Sequence, residues 1–390
     1  MRTGPAQKYM TGFVLTIALV MGSLWSLNAV VDPLWYFKGN QVTGENIVLN
    51  ERYAKVNRFV RDDTDYDCLI FGSSRMTLFD PTAVKGHTCF NLAVSAGTID
   101  DHLAIARYVK DRGADPDLLI VAAEEFNFLT PIDQSAPMPR FIEAGSLPPA
   151  HYLTYTSFSS LSMSIKTLRG QHPVPRYYDD HLMPRVIDGT PHYNPSKVAD
   201  RAIKASTGWT MTPERADRYA EMKTLFPDAD YVVIVPPLSP WLFKTRVIDA
   251  PGGLDLYLEA MATVRASADR FFDFATENDL TIDPRNTYDG SHFFPPVLDA
   301  VAYTIANDRI SNGFGARMTA QMSTDEHKAH YPLDLAAIES EWDYAIAVDD
   351  DPEKDELLAG DGPSDPSLTA ATNRVPEPGD LLPPTGNAFR

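Results

Sequence analysis

The hydrophobic positions of this chain form one long N-terminal run and then several short runs that alternate with helical patterns. The long run covers residues 9–31, which carry no charged side chain. At about 1.5 Å per helical residue, it can cross a hydrocarbon core of about 30 Å. It is also longer than the apolar part of a cleaved signal peptide, so we predict an uncleaved transmembrane anchor.

Charges at the two ends of this run predict its orientation in the membrane. Arg2 and Lys8 precede the run, and Asp32 follows it. Because positive flanks stay in the cytoplasm, we expect residues 1–8 there and the rest of the chain in the periplasm. The chain should then be a single-pass inner-membrane protein. Three aromatic residues just after the run are expected to form an interfacial belt: Trp35, Tyr36 and Phe37.

The short apolar runs predict the strands of a buried parallel sheet. They lie at 67–71, 88–94, 118–123, 231–235 and 271–274. Helical patterns follow or separate several of these runs, which predicts a doubly wound, flavodoxin-like α/β sheet of about five strands. Residues 129–210 interrupt the alternation and are too many for a simple connection, so we expect a helical cap insertion over one end of the sheet.

Composition limits the classes of partner and the extent of the folded domain. The chain has 390 residues, of which 44% are hydrophobic, enough for a substantial core. Its net charge of −19 argues against nucleic acid as a partner. Residues 325–390 hold sixteen acidic and four basic side chains together with many prolines, which predicts a mostly disordered tail.

These patterns divide the chain into successive segments. We predict a cytoplasmic N-terminus (1–8), a transmembrane anchor (9–31), a juxtamembrane connection (32–64), an α/β domain (65–318) that contains the cap insertion (129–210), and a disordered acidic tail (319–390). Cys68 and Cys89 fall on neighbouring predicted strands, where adjacent parallel strands offer poor disulfide geometry, so we expect free thiols. Neither cysteine lies in a cluster with metal-ligand spacing, and we expect no metal and no cofactor.

Three pieces of sequence should meet beyond the carboxyl ends of the strands, where ligands bind in such sheets. Ser74 lies in a small-residue turn after the first strand, where a helix N-terminus could stabilise an oxyanion, although a plain tight turn is the simpler interpretation. Gly97 follows the second strand, where backbone could approach a ligand. Asp289 and His292 are three residues apart in one loop, so the carboxylate can orient the imidazole, unless the pair is merely solvated.

Together these pieces resemble the SGNH, or GDSL-type, hydrolase superfamily over residues 65–310. The resemblance implies that Ser74 is the nucleophile, that Asp289 and His292 complete a catalytic triad, and that the Gly97 N–H contributes to the oxyanion hole. The sequence departs from the family at Ser73, which replaces the usual acidic residue of Gly-Asp-Ser.

The third family block, usually Gly-x-Asn-Asp, has no clean match either. After the third strand, Asn127 could be the missing oxyanion donor, but Glu125 is equally well placed. Arg75 could bind an anionic group of a substrate or could pair within the protein. These departures leave the set of oxyanion and substrate-binding residues open.

The combination of an N-terminal anchor and this domain is similar to that of membrane-tethered SGNH-like proteins that act on cell-envelope polymers. It implies a serine esterase or O-acyltransferase that acts on acyl esters of an envelope glycan, with a polytopic membrane acyltransferase as a possible partner. The alternative is a catalytically silent SGNH-like module that binds an envelope polymer or organises such a complex. Retention of Ser74, Asp289 and His292 favours catalysis.

Overall fold

A computed structural model describes residues 4–47, 50–130, 138–143, 145, 151–194, 210–310 and 313–331. The strands of this part of the chain are β1 (Asn46–Ile47), β2 (Cys68–Phe71), β3 (Cys89–Asn91), β4 (Leu118–Ala122), β5 (Leu129–Thr130), β6 (Arg176–Tyr178), β7 (Pro184–Val186), β8 (Thr210–Met211), β9 (Asp230–Val235), β10 (Arg270–Asp273) and β11 (Ala316–Met318).

The α-helices are α1 (Pro5–Val31), α2 (Glu51–Phe59), α3 (Ile99–Lys110), α4 (Arg140–Glu143), α5 (Phe158–Leu168), α6 (Asp217–Leu225), α7 (Pro240–Phe243), α8 (Gly253–Ser267), α9 (Asp279–Ile282), α10 (Pro295–Asn307) and α11 (Thr324–Lys328). Short 3₁₀ helices lie at Pro81–Ala83, Glu125–Phe128, His151–Thr156, Pro213–Ala216 and Pro284–Asn286, and a π-helical turn at Lys244–Ile248.

The chain divides into two compact units. The first comprises Met1–Asp65, Leu103–Ala114 and Ala136–Ile187, and the second comprises Tyr66–His102, Asp115–Ser135 and Asp188–Arg390. The first unit contains α1, which is long and apolar enough to cross a membrane. It also contains a small antiparallel sheet in the order β1-β6-β7.

The second unit is built on a six-stranded sheet with the order β3-β2-β4-β9-β10-β11. The first five strands in this order are parallel, and β11 pairs antiparallel with β10. In chain order the parallel strands lie 2-1-3-4-5, as in flavodoxin-like sheets. The predicted α/β class and mostly parallel sheet are confirmed, but the count of about five strands is one short because β11 joins the edge.

Two adjacent strands of this sheet, β2 and β4, are buried along their whole length, which explains their continuous apolar sequences. Every residue of β2 and β4 is buried. The doubly wound pattern is confirmed only in part, because the described chain between β2 and β3 forms turns and one 3₁₀ helix instead of an α-helix. The nucleophile turn after β2 therefore lacks the helix N-terminus that the sequence predicted.

The two cysteines form a disulfide, and the prediction of free thiols is wrong. Cys68 and Cys89 are register partners on the adjacent parallel strands β2 and β3, with their Cα atoms 4.2 Å apart. The sequence identified the two strands as neighbours but could not show that the cysteines lie directly opposite one another. Such a bond persists in an oxidising compartment.

The insertion predicted at 129–210 is not a purely helical cap. It contains α4 and α5 but also β6 and β7, and Tyr178 of β6 pairs with Asn46 of β1 from the predicted juxtamembrane connection. This pairing joins Ala136–Ile187 to the first unit. The single predicted domain at 65–318 is therefore divided between the two units. Within the insertion, residues 131–137, 144, 146–150 and 195–209 lie outside the described residues.

The folded chain continues past the predicted boundary at residue 318. His327 of α11 is buried, and its Nε2 lies 2.9 Å from Oδ2 of Asp273 at the end of β10. The buried Tyr331 hydroxyl donates to the same carboxylate. The predicted tail thus begins with a segment that packs onto the sheet, and its remainder, residues 332–390, lies outside the described residues.

The predicted aromatic belt is also corrected. Trp35 and Tyr36 are each 2% exposed, so they are buried in protein and unavailable to a membrane interface. Phe37 is 40% exposed. The burial follows from the Asp32 side chain, which accepts hydrogen bonds from the backbone N–H groups of Tyr36, Phe37 and Gly39 and folds this segment against the end of α1.

Candidate active site

The candidate nucleophile Ser74 lies on a tight turn at the carboxyl end of β2. The Met76 N–H donates to the Ser73 carbonyl, and the Thr77 N–H donates to the Ser74 carbonyl, at 3.0 and 3.3 Å. A glycine is required at position 72, because a Cβ there would collide with the Met76 side chain. The turn buries Ser73 and leaves Ser74 partly exposed. Ser74 is therefore the serine of this turn that a ligand can reach.

Ser74, His292 and Asp289 form a continuous chain of hydrogen bonds. His292 Nε2 lies 2.7 Å from the Ser74 hydroxyl oxygen, and His292 Nδ1 lies 2.7 Å from Asp289 Oδ2. The three predicted residues thus come together from positions more than 210 residues apart in sequence. In this arrangement the imidazole can take a proton from the serine while the carboxylate holds the other nitrogen.

The loop that carries Asp289 and His292 is held by its own backbone. Asp289 Oδ1 accepts from the N–H groups of Ser291 and His292, at 2.9 and 2.8 Å. Burial opposes ionisation of Asp289, but the charge and hydrogen bond of His292 and these two N–H groups lower its pKa to about 2. The Tyr288 ring stacks on the imidazole, with centroids 5.2 Å apart. Asp289 is therefore a carboxylate at neutral pH.

A buried carboxyl group supports the nucleophile turn from beneath. Glu124, which follows β4, accepts hydrogen bonds from the Ser73 hydroxyl and from the Ser73 backbone N–H. Burial raises the pKa of Glu124 to about 7, against the opposing effects of Arg75 and Ser73. Ser73 is therefore a structural anchor of the turn, and this explains a serine where the resembled family has an acidic residue.

Of the two interpretations of Arg75, the structure favours pairing within the protein. Arg75 is buried, and its two terminal nitrogens donate to the two carboxylate oxygens of Glu125. Its Nε donates to the Ser291 hydroxyl at 2.9 Å. Glu125 also accepts from Arg246, at 2.9 Å. Arg75 thus joins the nucleophile turn to the loop of Asp289 and His292, and Glu125 is excluded as an oxyanion donor.

The structure also corrects the prediction for Gly97. Its backbone N–H donates to the Val94 carbonyl at 2.9 Å, so it is already used within the loop. A Cβ at position 97 would lie 2.8 Å from a Val94 methyl group and 2.9 Å from His102 Nε2. Glycine at position 97 is therefore explained by close packing within the protein.

Asn127 remains a candidate oxyanion donor. It is buried, and its Oδ1 accepts from the Ile99 N–H at the start of α3, at 2.7 Å. Its Nδ2 is buried without a hydrogen-bond partner among the described residues. Asn127 therefore connects the loop after β4 to α3, and its role toward a ligand stays a prediction.

Sequence reasoning missed the supporting roles of Glu124 and Ser291. The signal for Glu124 was present, because two adjacent carboxyl groups directly after a buried strand require partners. Ser291 gave no signal, since its partner Arg75 is 216 residues away. Within the described residues, no group of three or more His, Cys, Asp and Glu side chains could hold a metal ion.

Comparison with known proteins does not assign the chain to a family. No protein-family model matches the chain, and no curated protein matches its sequence. Any functional conclusion must therefore come from the residues themselves.

Proposed function

We propose that Ser74, His292 and Asp289 are the catalytic triad of a serine esterase or O-acyltransferase. The observation that supports this proposal is the pair of 2.7 Å contacts that connect the Ser74 hydroxyl to His292 and His292 to Asp289. A serine, an imidazole and a carboxylate in this order are the parts that nucleophilic acyl transfer needs. Ser74 is also partly exposed, whereas Ser73 in the same turn is buried.

In the proposed reaction, the Ser74 oxygen attacks the carbonyl carbon of an ester while its proton passes to His292 Nε2. The tetrahedral intermediate then expels the alcohol, which takes that proton from His292, and leaves an acyl group on Ser74. A second hydroxyl attacks the carbonyl carbon of the acyl group while its proton passes to His292 Nε2, and the Ser74 oxygen then leaves that carbon and takes the proton from His292. Water as this second nucleophile gives an esterase, and a sugar hydroxyl gives a transferase.

The oxyanion donors of this reaction are fewer than the family resemblance implied. The Gly97 N–H is occupied, whereas the Ser74 N–H has no acceptor among the described residues. The Ser74 N–H is therefore the first candidate donor, with Asn127 Nδ2 as the second. One oxyanion hydrogen bond is typically worth about 10²–10³ in kcat, so this shortage is expected to reduce the rate without abolishing it.

We further propose that the protein acts at the outer side of a bacterial inner membrane, in the periplasm. Two observations support this location: the apolar helix α1 and the disulfide between Cys68 and Cys89. By resemblance, the substrate is an acyl ester of a cell-envelope glycan. A polytopic membrane acyltransferase that supplies the acyl group is the proposed partner.

The test uses the full chain in detergent, because α1 packs within the first unit. Hydrolysis of a chromogenic acetate ester is measured with and without an acceptor oligosaccharide. Turnover that requires Ser74 supports catalysis, and acetylated oligosaccharide identifies a transferase. Ser159, an exposed serine of α5, provides the matched control as Ser159→Ala. An unchanged rate in Ser74→Ala would contradict the proposal.

One observation favours the second candidate, a silent module that binds an envelope polymer. The occupied N–H of Gly97 removes an oxyanion donor that catalysis would use. A silent module predicts saturable binding of the glycan without turnover, and binding that survives His292→Ala. The triad proposal predicts turnover that His292→Ala abolishes.

A further inference from the structure

Helix α5 buries small polar side chains and exposes large apolar ones, although its Met163 packs partly buried against the cluster of Leu34, Tyr36 and Tyr155. The residues that it buries are Ser160, Ser164 and Thr167. Phe158 is 82% exposed, and Ile165 and Leu168 are also exposed. A helix on the surface of a soluble protein normally buries its large apolar side chains and exposes its small polar ones. The reversal indicates that the outer face of α5 meets an apolar environment.

The exposed apolar residues form one continuous stripe. At 3.6 residues per turn, positions 158, 161, 165 and 168 fall within an arc of roughly 80°, and the three buried polar positions fall within an adjoining arc of roughly 60°. Leu161 is partly exposed within the stripe, and Leu153 of the preceding 3₁₀ helix adds a further exposed apolar side chain. The stripe is thus a surface, which we call the α5 stripe, and not a set of scattered residues.

Hydrogen bonds attach this region to the last two turns of α1. The Ser164 hydroxyl donates to Asn28 Oδ1 at 2.7 Å, and Asn28 Nδ2 donates to the Tyr155 carbonyl at 2.7 Å. The Trp25 indole N–H donates to the Tyr152 carbonyl at 3.1 Å. The polar face of α5 therefore contacts α1 through Ser164, whereas the exposed apolar residues lie on the adjoining side of the helix.

The position of the attachment along α1 fixes the depth of α5 in a membrane. Asn28 lies three residues before Val31, where α1 ends, which is about 4.5 Å along the helix axis. Interfacial helices bury their apolar face about 5–10 Å into the boundary between headgroups and acyl chains. If α1 spans the bilayer, α5 is held at this boundary. The exposed Leu27 and Val30 of α1 continue the apolar surface at the same level.

Aromatic and basic residues beside the stripe match the same boundary. The Phe37 ring stacks on Tyr152 and packs edge-on against Trp25, with centroid separations of 5.6 and 6.1 Å. The Arg61 guanidinium lies over the Tyr152 ring, 5.7 Å from its centroid. Lys166 is exposed on the flank of the stripe. Aromatic rings and flanking basic side chains are typical of the zone where acyl chains meet headgroups.

We propose that the α5 stripe is a membrane-binding surface, which lies in the outer interfacial region of the bilayer that α1 spans. The occupant is phospholipid, with Phe158, Ile165 and Leu168 among the upper acyl chains. This inference rests on the proposed anchoring by α1. It adds a second, interfacial attachment, which fixes the rotation and tilt of the first unit on the membrane, since a single span leaves both free.

The test places one environment-sensitive fluorophore at a time on the full chain in phosphatidylcholine vesicles. The only two cysteines of the sequence form a disulfide, so an introduced cysteine is the single reactive thiol. The sites are Phe158→Cys in the stripe, Val14→Cys within α1, and Arg185→Cys in β7 as an exposed control in the same unit. Quenching is measured with lipids that carry a spin label near the headgroup end or in the middle of the acyl chain.

With the shallow label, the fluorophore at position 158 should lose about half of its emission. With the deep label, the fluorophore at position 14 should lose more, and the fluorophore at position 185 should lose none with either label. No quenching at Phe158 while Val14 is quenched would overturn the inference and leave the anchoring intact. A blue-shifted but unquenched Phe158 signal would show that protein covers the stripe, which also overturns it. Absence of quenching at Val14 would contradict the anchoring itself.

Discussion

Two groups of polar residues lie at the carboxyl edge of the large sheet, and they differ in what can reach them. Ser74, His292 and Asp289 are partly exposed and hydrogen-bond in a chain that ends on an accessible hydroxyl. Glu124 and the Arg75–Glu125 pair are buried and bond only to protein. The groups even share one turn, in which Ser73 belongs to the buried group and Ser74 to the exposed one. The two groups therefore differ in how deeply they are buried and in what they hydrogen-bond to, and the type of residue alone does not separate them.

The first prediction separates the groups by their effect on turnover. Ser74→Ala or His292→Ala should each reduce ester turnover about 10⁴-fold or more. The double variant should lose little beyond either single variant, because residues that act as a unit are grossly non-additive. Asp289→Asn should lose less than both. Initial rates with a chromogenic acetate ester provide the measurement. Losses that multiply in the double variant would show that Ser74 and His292 act independently.

The second prediction concerns the buried group, whose loss should reduce stability. Arg75→Ala leaves the Glu125 carboxylate buried with Arg246 as its remaining charged partner among the described residues, so the free energy of unfolding should fall by about 3–5 kcal/mol. The control is Arg285→Ala, which removes a largely exposed pair with Asp283 and should cost less than about 1 kcal/mol. Denaturant unfolding measures both. Equal effects of the two variants would mean that the Arg75 pair is not buried as described.

The third prediction concerns the disulfide beside the nucleophile strand. Replacing Cys68 and Cys89 by serine should lower the free energy of unfolding by about 3 kcal/mol, since the bond closes a loop of 21 residues. Alkylation in denaturant without reductant, followed by mass spectrometry, tests the bond itself. Neither cysteine should be modified before reduction, and both should be modified after it. Modification of both before reduction would restore the free-thiol interpretation.

The fourth prediction uses the raised pKa of Glu124. Between the ordinary glutamate pKa and about 7, the folded chain holds a proton that the unfolded chain has released, so stability falls as pH rises through this window. The expected fall is about 2 kcal/mol between about pH 5 and about pH 7, and Glu124→Gln should remove it. The exposed Glu259 gives the control, as Glu259→Gln. An unchanged pH dependence in Glu124→Gln would contradict the raised pKa.

The proximity of Ser74, Asp289 and His292 could be predicted because short motifs that resemble those of one family mark each position. A small-residue turn after an apolar strand and an Asp-x-x-His loop before a helix each indicate a position at the same sheet edge. The geometry brings Ser74, Asp289 and His292 together as these signals suggested. The α/β class could also be predicted, since each strand is a continuous apolar run.

The errors arose where the outcome depends on what packs against a residue from a distant part of the chain. The sequence left open whether Arg75 pairs within the protein, because its partner Glu125 lies 50 residues away, and it gave no sign that the Gly97 N–H donates to the Val94 carbonyl. The register of β2 and β3, which pairs Cys68 with Cys89, is likewise absent from either strand taken alone. The average composition of the acidic, proline-rich tail predicted disorder throughout, but it could not show that His327 and Tyr331 near the start of this stretch are buried.

Labelling with a fluorophosphonate tests the central claim most directly, because it needs an activated serine but no knowledge of the substrate. The full chain in detergent is treated with the probe, and peptide mass spectrometry locates the adduct. The account predicts one adduct per chain on Ser74, which disappears in Ser74→Ala and in His292→Ala and persists in Ser159→Ala. An adduct on Ser73, or an adduct on Ser74 that survives His292→Ala, would contradict the proposed triad.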